Sequence, residues 1–227
     1  MKRRLILIAL LLASTAGVLS RDYLGAAEKP KGPERWESDM AKFEADDEEH
    51  PPAEGEIMFL GSSSIRMWDV KKWFPALPVV NRGFGGSQIA DSLFYAERIV
   101  VPRRPRLIVF YAGDNDVASG KTPEQVCADF QAFVAKIHKH LPETKIVYIA
   151  IKPSIKRWNL VESMRKANQG IKELSSKDDL LEYVDVDTPM IGTDGWPRAE
   201  LFLKDGLHMS DAGYKIWTDL IMPHVKP

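Results

Sequence analysis

The sequence predicts an α/β fold, a three-layer α/β/α sandwich around a five-stranded parallel sheet. Three observations lead there. Five short runs rich in Ile, Val, Phe and Tyr recur between residues 56 and 185. They are continuously apolar and do not alternate, as expected of strands covered on both faces. Segments with helical periodicity lie between them, and a βαβα rhythm of this kind builds a sheet between two helical layers.

The elements follow in order. Trp36, Met40 and Phe43 share one face of an amphipathic helix. The run Asp46-Asp47-Glu48-Glu49 is expected as a solvated turn, stopped by Pro51-Pro52. Residues 56–60, 78–81, 107–111, 145–150 and 181–185 are the five strands, and Leu107-Ile108-Val109-Phe110-Tyr111 is the clearest of them. Ser63 is expected to start a helix through Ile65, Met67 and Trp68. Ser87 begins another, with Ile89, Leu93 and Ala96 on one face. Thr122-Pro123-Glu124-Gln125 has a capping threonine, a first-turn proline and a glutamine three residues on, followed by the stripe Val126, Phe130, Phe133 and Ile137. Asn159 and Glu162 have the spacing of a further capping pair ahead of Met164, Ala167, Ile171 and Leu174. Ser210 begins the last helix, with Tyr214, Trp217 and Leu220 or Ile221 inward.

Length and composition bound the rest. A chain of 227 residues suits one α/β domain with a sizeable core. A formal net charge of -1 gives no reason to expect a nucleic-acid partner. Cys127, the single cysteine, reads as a plain core or boundary residue. Met1-Lys2-Arg3-Arg4 precedes an apolar run from Leu5 to Leu12 and small residues through Gly17, the layout of an export signal. The run is short for a membrane span, which takes about 20 residues. Residues 1–27 are therefore expected as a signal peptide, with an uncleaved anchor as the alternative. Membrane contact is expected only through that segment. Residues 28–54 follow as a polar extension with a short helix, and 55–227 as the main domain.

Ligands of open α/β sheets bind beyond the carboxyl ends of the strands. Four polar segments are placed there. They are Gly61-Ser62-Ser63-Ser64, Arg82-Gly83-Phe84-Gly85-Gly86-Ser87, Ala112-Gly113-Asp114-Asn115-Asp116 and Lys204-Asp205-Gly206-Leu207-His208. Together they offer a hydroxyl, a base, a carboxylate and hydrogen-bond donors, the groups acyl transfer needs. Each alone has a plainer reading: a helix cap, a tight turn, a structural turn or loose cation site, a surface pair. Gln88 stands where a dinucleotide fingerprint requires its third glycine. One histidine among scattered carboxylates lacks metal-site spacing, so neither a metal nor a cofactor is expected.

With Phe59-Leu60-Gly61-Ser62-Ser63-Ser64-Ile65, Asn81-Arg82-Gly83-Phe84-Gly85-Gly86-Ser87, Gly113-Asp114-Asn115-Asp116 and Asp205-Gly206-Leu207-His208, the sequence resembles the SGNH hydrolases, or GDSL-type lipases and esterases. The nearest branch is the platelet-activating-factor-acetylhydrolase-like one. The resemblance runs from about residue 55 to the end, with the four blocks in order. It implies the flavodoxin-like strand order 2-1-3-4-5. It implies Ser63 as nucleophile, His208 as base and Asp205 as the carboxylate orienting it, with an oxyanion held by Ser63, Gly86 and Asn115. Two departures stand out. Ser62 replaces the usual aspartate beside the nucleophile, which leaves Ser62 and Ser64 as alternatives to Ser63. Asp114 replaces a commoner threonine or glycine and adds a carboxylate near the site.

The chemistry expected is hydrolysis of a carboxylic ester through an acyl-enzyme, on short acyl esters, acetylated carbohydrate or lysophospholipid. The alternatives are acyl transfer to a sugar hydroxyl and a non-catalytic binding protein of the same fold. Trp196 and Phe202 flank the Asp-His pair in a long loop and are candidates to line an acyl or sugar pocket. His50, His138, His140 and His224 have no matching partner and are expected in surface or cap positions. Lys156 and Arg157, after the fourth strand, are expected as surface charge.

Overall fold

The computed structural model describes residues 32–226. The expected signal or anchor, 1–27, lies outside the described residues. Strands β1 (Ile57–Gly61), β2 (Val79–Gly83), β3 (Leu107–Tyr111), β4 (Lys145–Ile149) and β5 (Leu181–Val184) form one parallel sheet. Its order is β2-β1-β3-β4-β5. The helices are α1 (Glu37–Glu49), α2 (Ser63–Arg66), α3 (Val70–Trp73), α4 (Ile89–Ile99), α5 (Asp114–Ala118), α6 (Pro123–His140), α7 (Val161–Ser175), α8 (Asp187–Met190) and α9 (Asp211–Val225). None among the described residues is long and apolar enough to cross a membrane.

Alternation along the strands divides the core in two. Met58, Leu60, Ile108, Phe110, Ile146 and Tyr148 pack against α1, α4, α6 and α7. Ile57, Phe59, Val109, Tyr111, Val147 and Ile149 pack against α2, α3, α8 and α9. Both faces are covered, which is why β1 and β3 are apolar almost throughout and the other strands mostly so. On the second face Trp68 stacks on Tyr214 at 5.7 Å and meets Trp217 edge-on at 5.6 Å. The Tyr214 hydroxyl donates to the Ser64 carbonyl at 2.9 Å, tying the last helix to the first strand's exit.

Helix starts follow the sequence in part. Thr122 and Gln125 form the expected capping box, and Ser210 caps α9. The cap of α4 is Gln88, one residue later than expected, because Asp91 accepts from the Gln88 backbone N–H. The Asn159–Glu162 pair caps nothing: the turn Trp158–Leu160 intervenes and α7 starts at Val161 without a side-chain cap.

The acidic run 46–49 is not a turn. The helix continues through it; Asp47 is mostly buried, and Asp46, though its side chain is 44% exposed, reaches the same arginine. Arg82 pairs with both, and Arg103 pairs with Asp47 and Glu56. Both arginines are almost fully buried, and a buried guanidinium requires carboxylates around it. Nothing local to the run reveals partners 35 and more residues away. Trp36 and Met40 are buried in the same core as the sheet, so α1 is docked on it.

Candidate active site

Residues at the carboxyl ends of β1, β2 and β3 and in the turn before α9 come together on one rim. The sequence explains how each is held there. Gly61 ends β1 at φ +141, and a Cβ on it would lie 1.8 Å from the Tyr111 carbonyl oxygen. Only glycine fits, and the Ser62 N–H then donates to that same carbonyl at 3.0 Å. The chain turns at once into α2. Asn81 of β2 donates to the Ile65 and Trp68 carbonyls at 2.7 and 2.9 Å and fixes this turn. The helix is shorter than expected, ending at Arg66, so a helix dipole contributes little here.

Of the three serines, Ser62 and Ser64 are buried, 0% and 2% exposed. Ser63 Oγ lies 3.1 Å from His208 Nε2, and His208 Nδ1 lies 2.6 Å from Asp205 Oδ2. An ionised carboxylate only accepts, so Nδ1 carries the proton and bare Nε2 accepts from the Ser63 hydroxyl. The other Asp205 oxygen accepts the backbone N–H groups of Leu207 and His208 at 2.9 and 3.0 Å. The His208 hydrogen bond, followed by these two, holds the Asp205 carboxyl well below the usual carboxylate range. Gly206 makes the tight turn at φ +65 and packs on Ile155.

Gly86 and Asn115 follow β2 and β3 at the same rim. Among the described residues no acceptor takes the N–H of Ser63 or of Gly86. Gly86 is exposed, at φ +80 with open space about it. The loop before it is held by Phe84 N–H to the Gly61 carbonyl at 2.9 Å and by Trp36 Nε1–H to the Gly85 carbonyl at 3.0 Å. Asn115 Nδ2 donates to the Ser87 carbonyl at 3.0 Å, leaving its second hydrogen unspent. Asp116 is fully buried and structural. It accepts from Ile89 N–H and Lys121 Nζ, and burial raises its carboxyl above the usual range.

Arg157 is not free surface charge. It donates to Asp114 Oδ2 at 2.8 Å and to Asn115 Oδ1 at 2.9 Å. Lys156 is exposed as expected. The signal that was there to read is position: Arg157 follows β4 at the same rim as the other four segments. Trp196 is 54% exposed and packs against Trp158 at 5.2 Å. Phe202 is buried, at the edge of a cleft of about 520 Å³ shared with Ile155, Leu203, Asp205 and Gly206. The other histidines are elsewhere: His50 pairs with Asp46, His138 with the Thr144 carbonyl, His140 with Glu97 and His224 with Glu182. Cys127 is half-buried against Ala167 and Gly170. A further cleft of about 530 Å³ opens beside Glu56, Pro78, Arg82 and Arg103, and none of Ser63, Gly86, Asn115, Asp205 and His208 lines it.

Comparison with known proteins bears on this geometry. The chain is 27% identical to platelet-activating factor acetylhydrolase IB subunit alpha1 of Rattus norvegicus over 190 residues, 81% of this chain and 79% of the relative. A GDSL-like lipase from Bacteroides thetaiotaomicron superposes with a TM-score of 0.70 at 19% identity, covering 82% of this chain and 96% of that one. A catalytic mutant of an acetylxylan esterase from Geobacillus stearothermophilus superposes at 0.63 with 14% identity, covering 78% and 96%. At such identities the two structures speak for the fold. The model of the GDSL-like Lipase/Acylhydrolase family matches residues 66–216, starting just past Ser63 and taking in the Asp205–His208 turn. That match spans about two thirds of the sequence, and on it the chain belongs to the GDSL-like lipase/acylhydrolase family.

Proposed function

We propose that the protein is a serine-dependent carboxylic ester hydrolase working through an acyl-enzyme on Ser63. The observation that carries this reading is the unbroken chain Ser63 Oγ, His208 Nε2, His208 Nδ1, Asp205 Oδ2, at 3.1 and 2.6 Å. A serine hydroxyl is a weak nucleophile unless a base takes its proton during attack. Ser63 Oγ bonds to the ester carbonyl carbon as its proton passes to His208 Nε2. The carbonyl oxygen becomes an oxyanion facing the N–H groups of Ser63 and Gly86 and the Asn115 amide. Collapse breaks the bond to the alcohol oxygen, which leaves with the proton from Nε2. Water then attacks the acyl-enzyme with the same base, releasing the carboxylic acid and restoring Ser63. Asp205 keeps its charge and stabilises the imidazolium.

The acyl group is short, and acetyl is the first choice. The acetylhydrolase and acetylxylan esterase relatives both carry acetyl in their names. The alcohol is a carbohydrate hydroxyl, a reading supported by the exposed ring of Trp196, with Phe202 bordering the cleft beside Asp205. Export through residues 1–27 belongs to the same proposal and rests on the basic cap and apolar run alone.

The test is nitrophenol release from nitrophenyl acetate, butyrate and octanoate. Turnover is expected to be fastest on acetate. Ser63→Ala and His208→Ala are expected to lower kcat by about 10³-fold or more while the fold persists. A Ser63→Ala variant as active as the wild type refutes the reading.

A further inference from the structure

The loop between β4 and α7 touches both halves of the site. Ile155 packs on Gly206, and the Lys156 N–H donates to the Gly206 carbonyl at 3.0 Å, beneath the Asp205–His208 turn. The next residue, Arg157, reaches the other half. One guanidinium nitrogen donates to Asn115 Oδ1 at 2.9 Å and another to Asp114 Oδ2 at 2.8 Å. Behind Asp114 stands Lys152, 1% exposed, with Nζ 3.6 Å from the same Oδ2 and 3.3 Å from the Tyr111 hydroxyl.

An amide side chain has two orientations, and its neighbours choose between them. Turned over, Asn115 would set its oxygen against the Ser87 carbonyl and its NH₂ against a cation. Arg157 forbids that. With Oδ1 committed to the guanidinium, Nδ2 faces Ser87, and its remaining hydrogen is set by the amide plane. A cation on Oδ1 also draws electron density from Nδ2 and strengthens its N–H as a donor.

We propose that Arg157 is a positioning residue for catalysis, held by Asp114 and Lys152, which orients and polarises the Asn115 amide toward the oxyanion. This inference rests on the esterase reading above. The aid is given where charge develops, so it belongs to turnover more than to substrate binding.

Nitrophenyl acetate kinetics on Arg157→Ala, Arg157→Lys, Asn115→Ala and the Arg157→Ala/Asn115→Ala double variant test it. Arg157→Ala is expected to lower kcat about 10- to 100-fold with KM within about twofold, short of the full loss of an oxyanion donor. Arg157→Lys restores part of the loss. In the Asn115→Ala background the Arg157 substitution costs less than about twofold, because nothing remains to be oriented. An equal loss in both backgrounds, or a wild-type kcat in Arg157→Ala, overturns the proposal. A readout free of turnover is the ¹⁵N spectrum of the Asn115 side-chain amide, assigned by its absence in Asn115→Ala. Its proton pair is expected to shift and broaden in Arg157→Lys. An unchanged pair overturns the proposal even if the protein hydrolyses no ester. A wild type that Ser63→Ala leaves unaltered sinks the esterase reading instead.

Discussion

Trp36 stands thirty residues ahead of the stretch matched by the family model, yet it holds the loop that presents Gly86. Its ring is 5% exposed and meets Phe84 edge-on at 5.6 Å, and the Arg35 guanidinium lies 3.8 Å from the indole centre. Trp36→Phe keeps a ring on Phe84 and removes the bond to the Gly85 carbonyl. That carbonyl is partly exposed, so water can replace the donor and the lost bond costs about 0.5–1.5 kcal/mol. Trp36→Ala also empties the site of the ring, which costs about 3–5 kcal/mol. The assay is equilibrium unfolding in urea followed by far-ultraviolet circular dichroism, with nitrophenyl acetate turnover measured in parallel. Trp36→Phe is expected to lose about 1–2 kcal/mol and a few-fold in kcat with little change in KM. If Trp36→Ala costs under about 1 kcal/mol and turns over like the wild type, the turn ahead of α1 does not support the Gly85–Gly86 loop and the reasoning is wrong.

Other consequences are as direct. Gly61→Ala puts a Cβ 1.8 Å from a backbone oxygen and is expected to cost more than about 4 kcal/mol or to abolish folding. Gly120→Ala, also at positive φ but with open space, should cost only about 1–3 kcal/mol, and equal thermal shifts for the two would contradict the steric account. Asp47→Asn weakens the bridge between Arg82 and Arg103, each of which keeps a second carboxylate, and should cost about 1.5–3 kcal/mol in urea unfolding. Asp205 is depressed, so its charge is complete above about pH 3.9 and is lost only as pH falls through its lower folded value. The Asp205 carboxyl should therefore add no proton to the acid limb of kcat/KM, and a two-proton limb above about pH 4 would contradict this.

The strands were legible because burial on both faces leaves a local mark: each run is mostly apolar, and all five lie within two residues of expectation at either end. The Thr122 and Ser210 caps were legible for the same reason, since a cap is a contact three residues long. Ser63 stood out through its placement after a strand, Asp205 and His208 through theirs before the last helix, and all three through their resemblance to a family pattern, and the burial of Ser62 and Ser64 separates Ser63 from its neighbours. What stayed hidden depends on partners distant in sequence. Asp46 and Asp47 look like a solvated charge run until Arg82 and Arg103 are brought beneath them. Arg157 looks like surface charge until its loop folds over Asn115, 42 residues earlier. Trp36 shows an apolar face in the sequence, but not the indole N–H that reaches Gly85, 49 residues on.

Covalent labelling asks the central question without a natural substrate. The full chain is treated with a diethyl phosphoryl ester such as paraoxon, and the modified residue is located by mass spectrometry of its peptides. A single phosphoryl group on Ser63 is expected, formed in step with the loss of nitrophenyl acetate turnover and greatly slowed in His208→Ala. A label on Ser62 or Ser64, or full inactivation with Ser63 unmodified, would contradict a nucleophile activated by His208 and Asp205.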